Sequence, residues 1–258
     1  MKLKDYAAKL KSFFKLSLAF AKVEFKLKNE GSYLGIFWYL LNPIIVFIIV
    51  FLVFSDRLGN TIPYYALYLI IGIIMFDFFQ NSTIESPRII ENNRWVIKSI
   101  NFPREALIGG VVLQNIFSHI FEVFLLALMV LFFKVSFLGV FYYFILLIFF
   151  ALFTFGVSLL LSSLEFYFVD IENLWIFAVK ILWLATPIFY AIEGQLRLLY
   201  FNLINPLFYF IATAREIIIF SRLPEWWIVL GMMLSSILFL TLGLWVFSKL
   251  KNKFPELI

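Results

Sequence analysis

The sequence predicts an all-α, polytopic membrane protein. The expected architecture is six transmembrane helices, an N-terminal interfacial amphipathic helix, a short cytoplasmic helix, and two re-entrant extracytoplasmic helices before the last span. Three observations carry this expectation. Hydrophobic residues fill 64% of the 258 positions and charged residues only 14%, where a soluble domain has about 25% charged residues. Several apolar runs exceed 18 residues, the length at which a run reads as a membrane span. The two-residue alternation of a transmembrane barrel is absent. The whole chain, 1–258, forms one membrane domain with no room for a separate soluble one.

The elements follow in order. Residues 1–30 keep Leu3, Tyr6, Ala7, Leu10, Phe13, Phe14, Leu18 and Ala21 on one helical face and Lys4, Lys11, Lys15, Lys22 and Lys26 on another. Such a helix lies in the interface plane as a positive anchor, and its surface could dock a cytoplasmic partner. Gly31-Ser32 end it. Residues 34–54 form the first span, which Pro43 should kink by removing a helix hydrogen bond. Residues 64–83 form the second, with Asp77 near its inner end. A charged loop, 84–105, feeds the third span, 106–133. The fourth, 139–164, has a candidate bend at Gly156, and an acidic turn follows. The fifth, 174–191, carries Lys180. Residues 192–225 are too polar for one clean span and too apolar for a free loop. Asn205-Pro206 divides them into two short helices that dip partway into the membrane. The sixth span is 226–248, followed by a Lys-bearing tail.

Lys and Arg set the orientation. Eight precede residue 29, four lie in the loop after the second span and three lie in the tail, against five on the other side. Both termini are therefore expected in the cytoplasm of a plasma (inner) membrane. The concentrated N-terminal charge points to the anionic inner leaflet and not to nucleic acid.

The third span is the most informative. Gln114, Asn115, Ser118, His119 and Glu122 share one helix face. A polar stripe cannot face lipid cheaply, so it should face protein or a wet cavity, and helix–helix adhesion is the plainer role. Lys180 is expected to pair with Asp77 or Glu122, or else to snorkel to the surface. Aromatic residues reach 21%. Most should face lipid or form interfacial belts. Trp38, Tyr39, Trp183 and Tyr190 are the candidates for lining a conduit, because an aromatic ring stacks on the C–H face of a sugar.

Enzyme signatures are weak. The chain has no cysteine and a single histidine, which leaves no thiolate chemistry and no histidine metal cluster. It has no phosphate-binding P-loop, no His-Glu-x-x-His and no Gly-x-Ser-x-Gly stretch. No metal and no cofactor is expected on this chain.

The loop is the most specific stretch. Pro87 can open a short helix that mixes Arg88, Glu91, Arg94 and Lys98 with Trp95, Val96 and Ile97. Phe102-Pro103 stops it and aims Arg104 at the next span. Asn93, Val96, Ile97, Lys98, Phe102, Pro103 and Arg104 resemble a segment of the membrane subunits of polysaccharide ABC exporters, the O-antigen, capsule and teichoic acid type. "YLGIFWYLLNP" at Tyr33–Pro43 is similar to that family's approach to its first span. "FVDIENL" at Phe168–Leu174 is similar to its Arg-Asp-Ile segment, except that Val169 stands where the family has Arg. "TPIFYAIE" at Thr186–Glu193 and "LINPLFYFIATARE" at Leu203–Glu216 match its last two motifs.

The resemblance implies a homodimer that pairs with two copies of a separate ATP-binding cassette subunit, which would bind ATP and Mg. It implies that Arg88, Glu91, Asn93, Arg94, Lys98, Arg104 and Asp170 couple to that subunit. The function it implies is export of a polysaccharide or lipid-linked glycan of O-antigen type from the cytoplasm. A permease for a smaller lipid or drug is the alternative in the same class. A membrane-embedded transferase acting on lipid-linked sugars would need grouped reactive side chains, and a passive channel would need a filter or charged ring.

Overall fold

The computed structural model describes residues 2–59, 61–99, 102–165, 167–168, 170–192 and 195–251. Val169, Glu193, the tail beyond Lys251, and the side chains of Leu3, Lys4, Tyr6 and Ala7 lie outside the described residues. All regular structure among the described residues is helical. In chain order the helices are α1 (Lys2–Asn29), α2 (Trp38–Leu58), α3 (Tyr65–Glu85), α4 (Ile89–Asn92), α5 (Arg94–Ser99), α6 (Glu105–Phe132), α7 (Leu138–Glu165), α8 (Ile171–Ala185), α9 (Leu196–Leu203), α10 (Pro206–Ile218) and α11 (Trp226–Leu250).

Five of these helices, the second with its preceding 3-10 turn, are long and apolar enough to cross a membrane, or six if the bent pair α9–α10 counts as one span. They are α2, α3, α6, α7 and α11. The expected fifth span is shorter than its apolar run. α8 has 15 residues, about 22 Å of helix against a core of about 30 Å. It stops because Thr186 precedes Pro187 and is extended, at φ −80° and ψ 139°. α9 and α10 are bent by 110° at Asn205-Pro206. Asn205 caps α10 by accepting from the Leu207 N–H at 3.1 Å.

The bundle is built around α3, which packs on α2, α6, α7, α8 and α10. Two crossings rest on glycine. Gly156 and Gly243 bring α7 and α11 into backbone contact, with no room for a Cβ at either. Gly156 is thus a crossing point within a helix that runs unbroken from Leu138 to Glu165, and the bend expected there gives way to this contact. Gly109 and Gly110 do the same for α6, where added Cβ atoms would meet Ser17 Oγ and Phe20 Cβ, each at 2.7 Å.

That second crossing corrects the reading of α1. Ser17 and Ala21 are fully buried against α6, while Leu10, Phe14 and Leu18 of the expected apolar face stay exposed. The side facing protein is the small one, because small residues let two backbones approach. The larger apolar side chains remain on the outer surface beside the lysines.

Candidate functional site

The polar stripe of α6 is buried throughout. Gln114, Asn115, Ser118, His119 and Glu122 are each 5% exposed or less. His119 Nδ1 lies 2.6 Å from Glu122 Oε2, and its Nε2 lies 2.7 Å from the Tyr143 hydroxyl of α7. One imidazole thereby joins α6 to α7. Asn115 donates to Glu85 Oε2 at 2.9 Å, and Glu85 Oε1 accepts from Lys28 Nζ at 2.5 Å. The chain α1–α3–α6 is closed by these two contacts.

Beside Lys28 and Glu85 opens a polar cavity of about 340 Å³, between the end of α1, the start of α2 and the end of α3. Asn29, Asn42 and Asn81 supply its amide groups, and Trp38 and Tyr39 its rings. Tyr39 is stacked between Phe25 and Phe121, with centroids 5.8 and 6.2 Å away. Its hydroxyl accepts from Asn29 Nδ2 at 3.1 Å. The Tyr39 ring is therefore held by its faces and its tip within the subunit, and the exposed Trp38 is the ring left free to stack. Near the cavity, burial and then the neighbouring Glu85 raise the Glu24 carboxyl above its ordinary range.

The charged loop lies at the same end of the bundle. It folds as two short helices, α4 and α5, where one was expected within Pro87–Lys98. Asn93 breaks them at φ −105° and ψ 24°, with its side-chain amide donating to the Ile89 carbonyl at 2.9 Å. The helix opens at Ile89 and not at Pro87. Ile90 and Ile97 anchor the segment in a cluster with Ile108 and Phe247, while Trp95 is 78% exposed. Arg94 pairs with Glu91 at 2.8 Å, and Lys98 is exposed. Arg88 pairs with Glu172, so the loop is tied to the turn carrying the exposed Asp170. Arg104 donates to the Lys251 carbonyl, and burial lowers its pKa, opposed by Glu105. The loop residues among the seven named from the family resemblance therefore lie in one short segment, and the Arg88–Glu172 pair brings the start of α8, next to Asp170, against it.

The four aromatic candidates do not gather. Trp38 and Tyr39 sit at the Glu85 end of α3. Trp183 and Tyr190 sit at its Tyr65 end, where the Tyr68 hydroxyl donates to the Tyr190 carbonyl at 2.8 Å. The two pairs are separated by nearly the length of α3, roughly 30 Å of helix. Lys180 corrects a second expectation. It has no ion pair among the described residues, Glu122 being paired with His119. Its neighbour Val179 is the residue α8 buries, and one residue of helix turns Lys180 off the bundle. Asp77, half-buried on α3, likewise has no ion pair among the described residues.

Sequence reasoning missed Lys28, Asn81 and Glu85 as a unit, since they are far apart in the chain. It also missed Arg215, counted among the charges outside the membrane but 5% exposed. Its signal was present: Phe208, Ile211, Arg215 and Ile218 recur at helical spacing along one face of α10.

The description "ABC-2 type transporter" fits residues 16–219 of this chain, by match to the family. The chain belongs to the ABC-2 type transporter family. Among its relatives are two sequences from Klebsiella pneumoniae called O-antigen export system permease protein RfbA, 27% and 26% identical over 248 residues, 95% of each chain. A protein of the same name from Myxococcus xanthus is 21% identical over 247 residues, 94% of this chain and 95% of its own. The chain is thus an ABC-2 membrane subunit with several apolar helices, and its relatives are transport subunits.

Proposed function

We propose that the chain is the transmembrane subunit of an ATP-driven exporter that moves a polysaccharide or lipid-linked glycan across the inner membrane. The observation that carries this reading is the polar cavity walled by the exposed Trp38 ring beside the clamped Tyr39, in a family whose relatives are called O-antigen permeases. Amides beside an aromatic face suit a sugar, with its alternating hydroxyls and C–H faces. A small apolar drug would have little use for them.

Two copies form the working membrane unit, each joined to a separate ATP-binding cassette subunit that holds ATP and Mg. The exposed Trp95 and the charges around α4 and α5 are the contact with that subunit, and Arg88–Glu172 passes movement on to α8. This chain itself catalyses no reaction and binds no nucleotide or metal. Both termini lie in the cytoplasm, so the polar cavity opens where cargo is made. A cysteine placed at Arg222 should then react with an impermeant thiol reagent from outside, a clean test in a chain without native cysteine.

The direct test is export of radiolabelled glycan by cells carrying Trp38→Ala. Loss of one stacking platform weakens sugar binding by about 1 kcal/mol, or several-fold. Export should fall, while co-purification with the ATPase subunit stays intact. Unchanged export in Tyr39→Ala and in Trp38→Ala would remove the cavity from the path.

A further inference from the structure

An apolar groove of about 630 Å³ lies between the first turns of α7 and α11 and the second half of α10. Tyr142, Leu146, Ile217, Val229 and Met232 form its walls, and Phe149 closes it. From Leu138 at the mouth to Phe149 the groove follows about 16 Å of α7 by helical rise. Its mouth is open sideways, with Leu138 63% and Leu223 86% exposed. That is a shape for an alkyl chain lying lengthwise along the bundle.

Two further observations say what the chain is attached to. Thr213 lines the groove, is 3% exposed, and its Oγ1 has no hydrogen-bond partner. A buried hydroxyl without a partner is costly, and an ester oxygen at the head of an acyl chain would satisfy it. The rim carries mixed charge. Arg222 donates to both carboxylate oxygens of Glu216, and Glu225 lies within electrostatic reach of the same guanidinium. Trp226, 76% exposed, and Trp227 place this rim at headgroup level. One cation between two carboxylates repels a purely anionic headgroup. It matches one that carries a phosphate and an ammonium together.

We propose that this groove is a binding site for a bilayer phospholipid with an ethanolamine headgroup, one acyl chain in the groove, phosphate beside Arg222 and ammonium beside Glu216 and Glu225. The site stands apart from the glycan reading and does not depend on it. An isoprenyl phosphate carrier is disfavoured here by the same two carboxylates.

The test is native mass spectrometry of the full chain, stripped of lipid and mixed with equal amounts of palmitoyl-oleoyl phosphatidylethanolamine and phosphatidylglycerol. One ethanolamine lipid should be retained per chain, preferred about tenfold over the glycerol lipid. Val229→Trp fills the groove and should lower retention about tenfold. Where that variant does not fold, the rim change Glu216→Gln with Glu225→Gln serves instead. It should keep the lipid bound but move the preference toward phosphatidylglycerol. Equal retention of the two lipids by the parent, no retained lipid, or a folded Val229→Trp that holds lipid as well as the parent would each overturn the proposal. So would a rim variant whose preference is unchanged.

Discussion

α2 and α3 are each 21 residues long and pack against one another, yet their surroundings are opposite. α2 is the more apolar, and only Pro43 and Val50 are buried along it. α3 carries Asp77, Gln80, Asn81 and Glu85, and 14 of its residues are buried. In a soluble protein the order would be reversed. Lipid tails are as apolar as leucine, so apolarity gives a helix no reason to move inward. What draws α3 inward is hydrogen bonding and close backbone approach. Its C-terminal end is held by Glu85, through Lys28 and Asn115. Its N-terminal end is held by Arg215 and by the tyrosines Tyr65 and Tyr68, which donate to the carbonyls of Phe189 and Tyr190.

The largest effect should come from Arg215→Leu. The guanidinium donates to the Tyr68 carbonyl at 3.1 and 3.0 Å, to Pro187 at 2.6 Å and to Ile188 at 2.8 Å, and it stacks 3.4 Å from the Tyr68 ring centroid. No carboxylate is among these partners. The cation is satisfied by backbone carbonyls and the Tyr68 side chain, and it joins α10, α3 and the extended segment after α8. Removing it leaves buried carbonyls unpaired at about 1–3 kcal/mol each. Melting of the purified subunit should drop steeply, or the folded yield should collapse, while Arg222→Leu at the exposed rim should change little. A variant lacking Arg215 that melts like the parent would mean α3 is held by something else.

Gly72→Ala comes next. Its Cβ would stand 2.8 Å from Arg215 Nη2 and 3.1 Å from the Ile188 carbonyl oxygen. The first neighbour is pinned by its hydrogen bonds to the Tyr68 and Ile188 carbonyls, and the second is backbone. The expected cost is about 1–3 kcal/mol, as for other overpacked sites. Differential scanning fluorimetry against Ile49→Ala in α2 measures it. Equal melting temperatures in the two variants would erase the distinction between the helices.

The legible parts of this chain were those encoded within a single helix. The stripe Gln114–Glu122 repeats at helical spacing, so its burial could be read before any partner was known, and all five members are buried. Thr186-Pro187 and Asn205-Pro206 announced breaks, since the residue before proline leaves the helical region. The end of α8 was still placed too late, because the apolar run continues past Pro187 and hydropathy ignores backbone geometry. Contacts between distant segments left no local trace. Lys28 and Glu85 are 57 positions apart, and nothing in either neighbourhood marks the other. Lys180 misled for a related reason: its direction was set by Val179 packing, which no pattern in α8 alone decides.

The smallest effect should be Leu52→Ala in α2. Leu52 is 71% exposed, and its neighbours Ile45, Ile48, Ile49 and Val53 on the same helix are also exposed. Within one subunit the substitution removes almost no packing, so stability should change by less than about 0.5 kcal/mol. Against lipid the loss is also small, because a methylene traded between leucine and acyl chain is nearly neutral. Between two copies it would not be neutral, since close packing is what holds helices together in a membrane. The variant therefore has two readouts. Subunit melting should match the parent. If α2 lines the contact between copies, cysteine cross-linking through Ile45→Cys, on the same exposed face, should weaken when Leu52→Ala is added. A melting loss as large as that of Gly72→Ala would mean α2 packs on protein along its outer face, and its contrast with α3 would be gone.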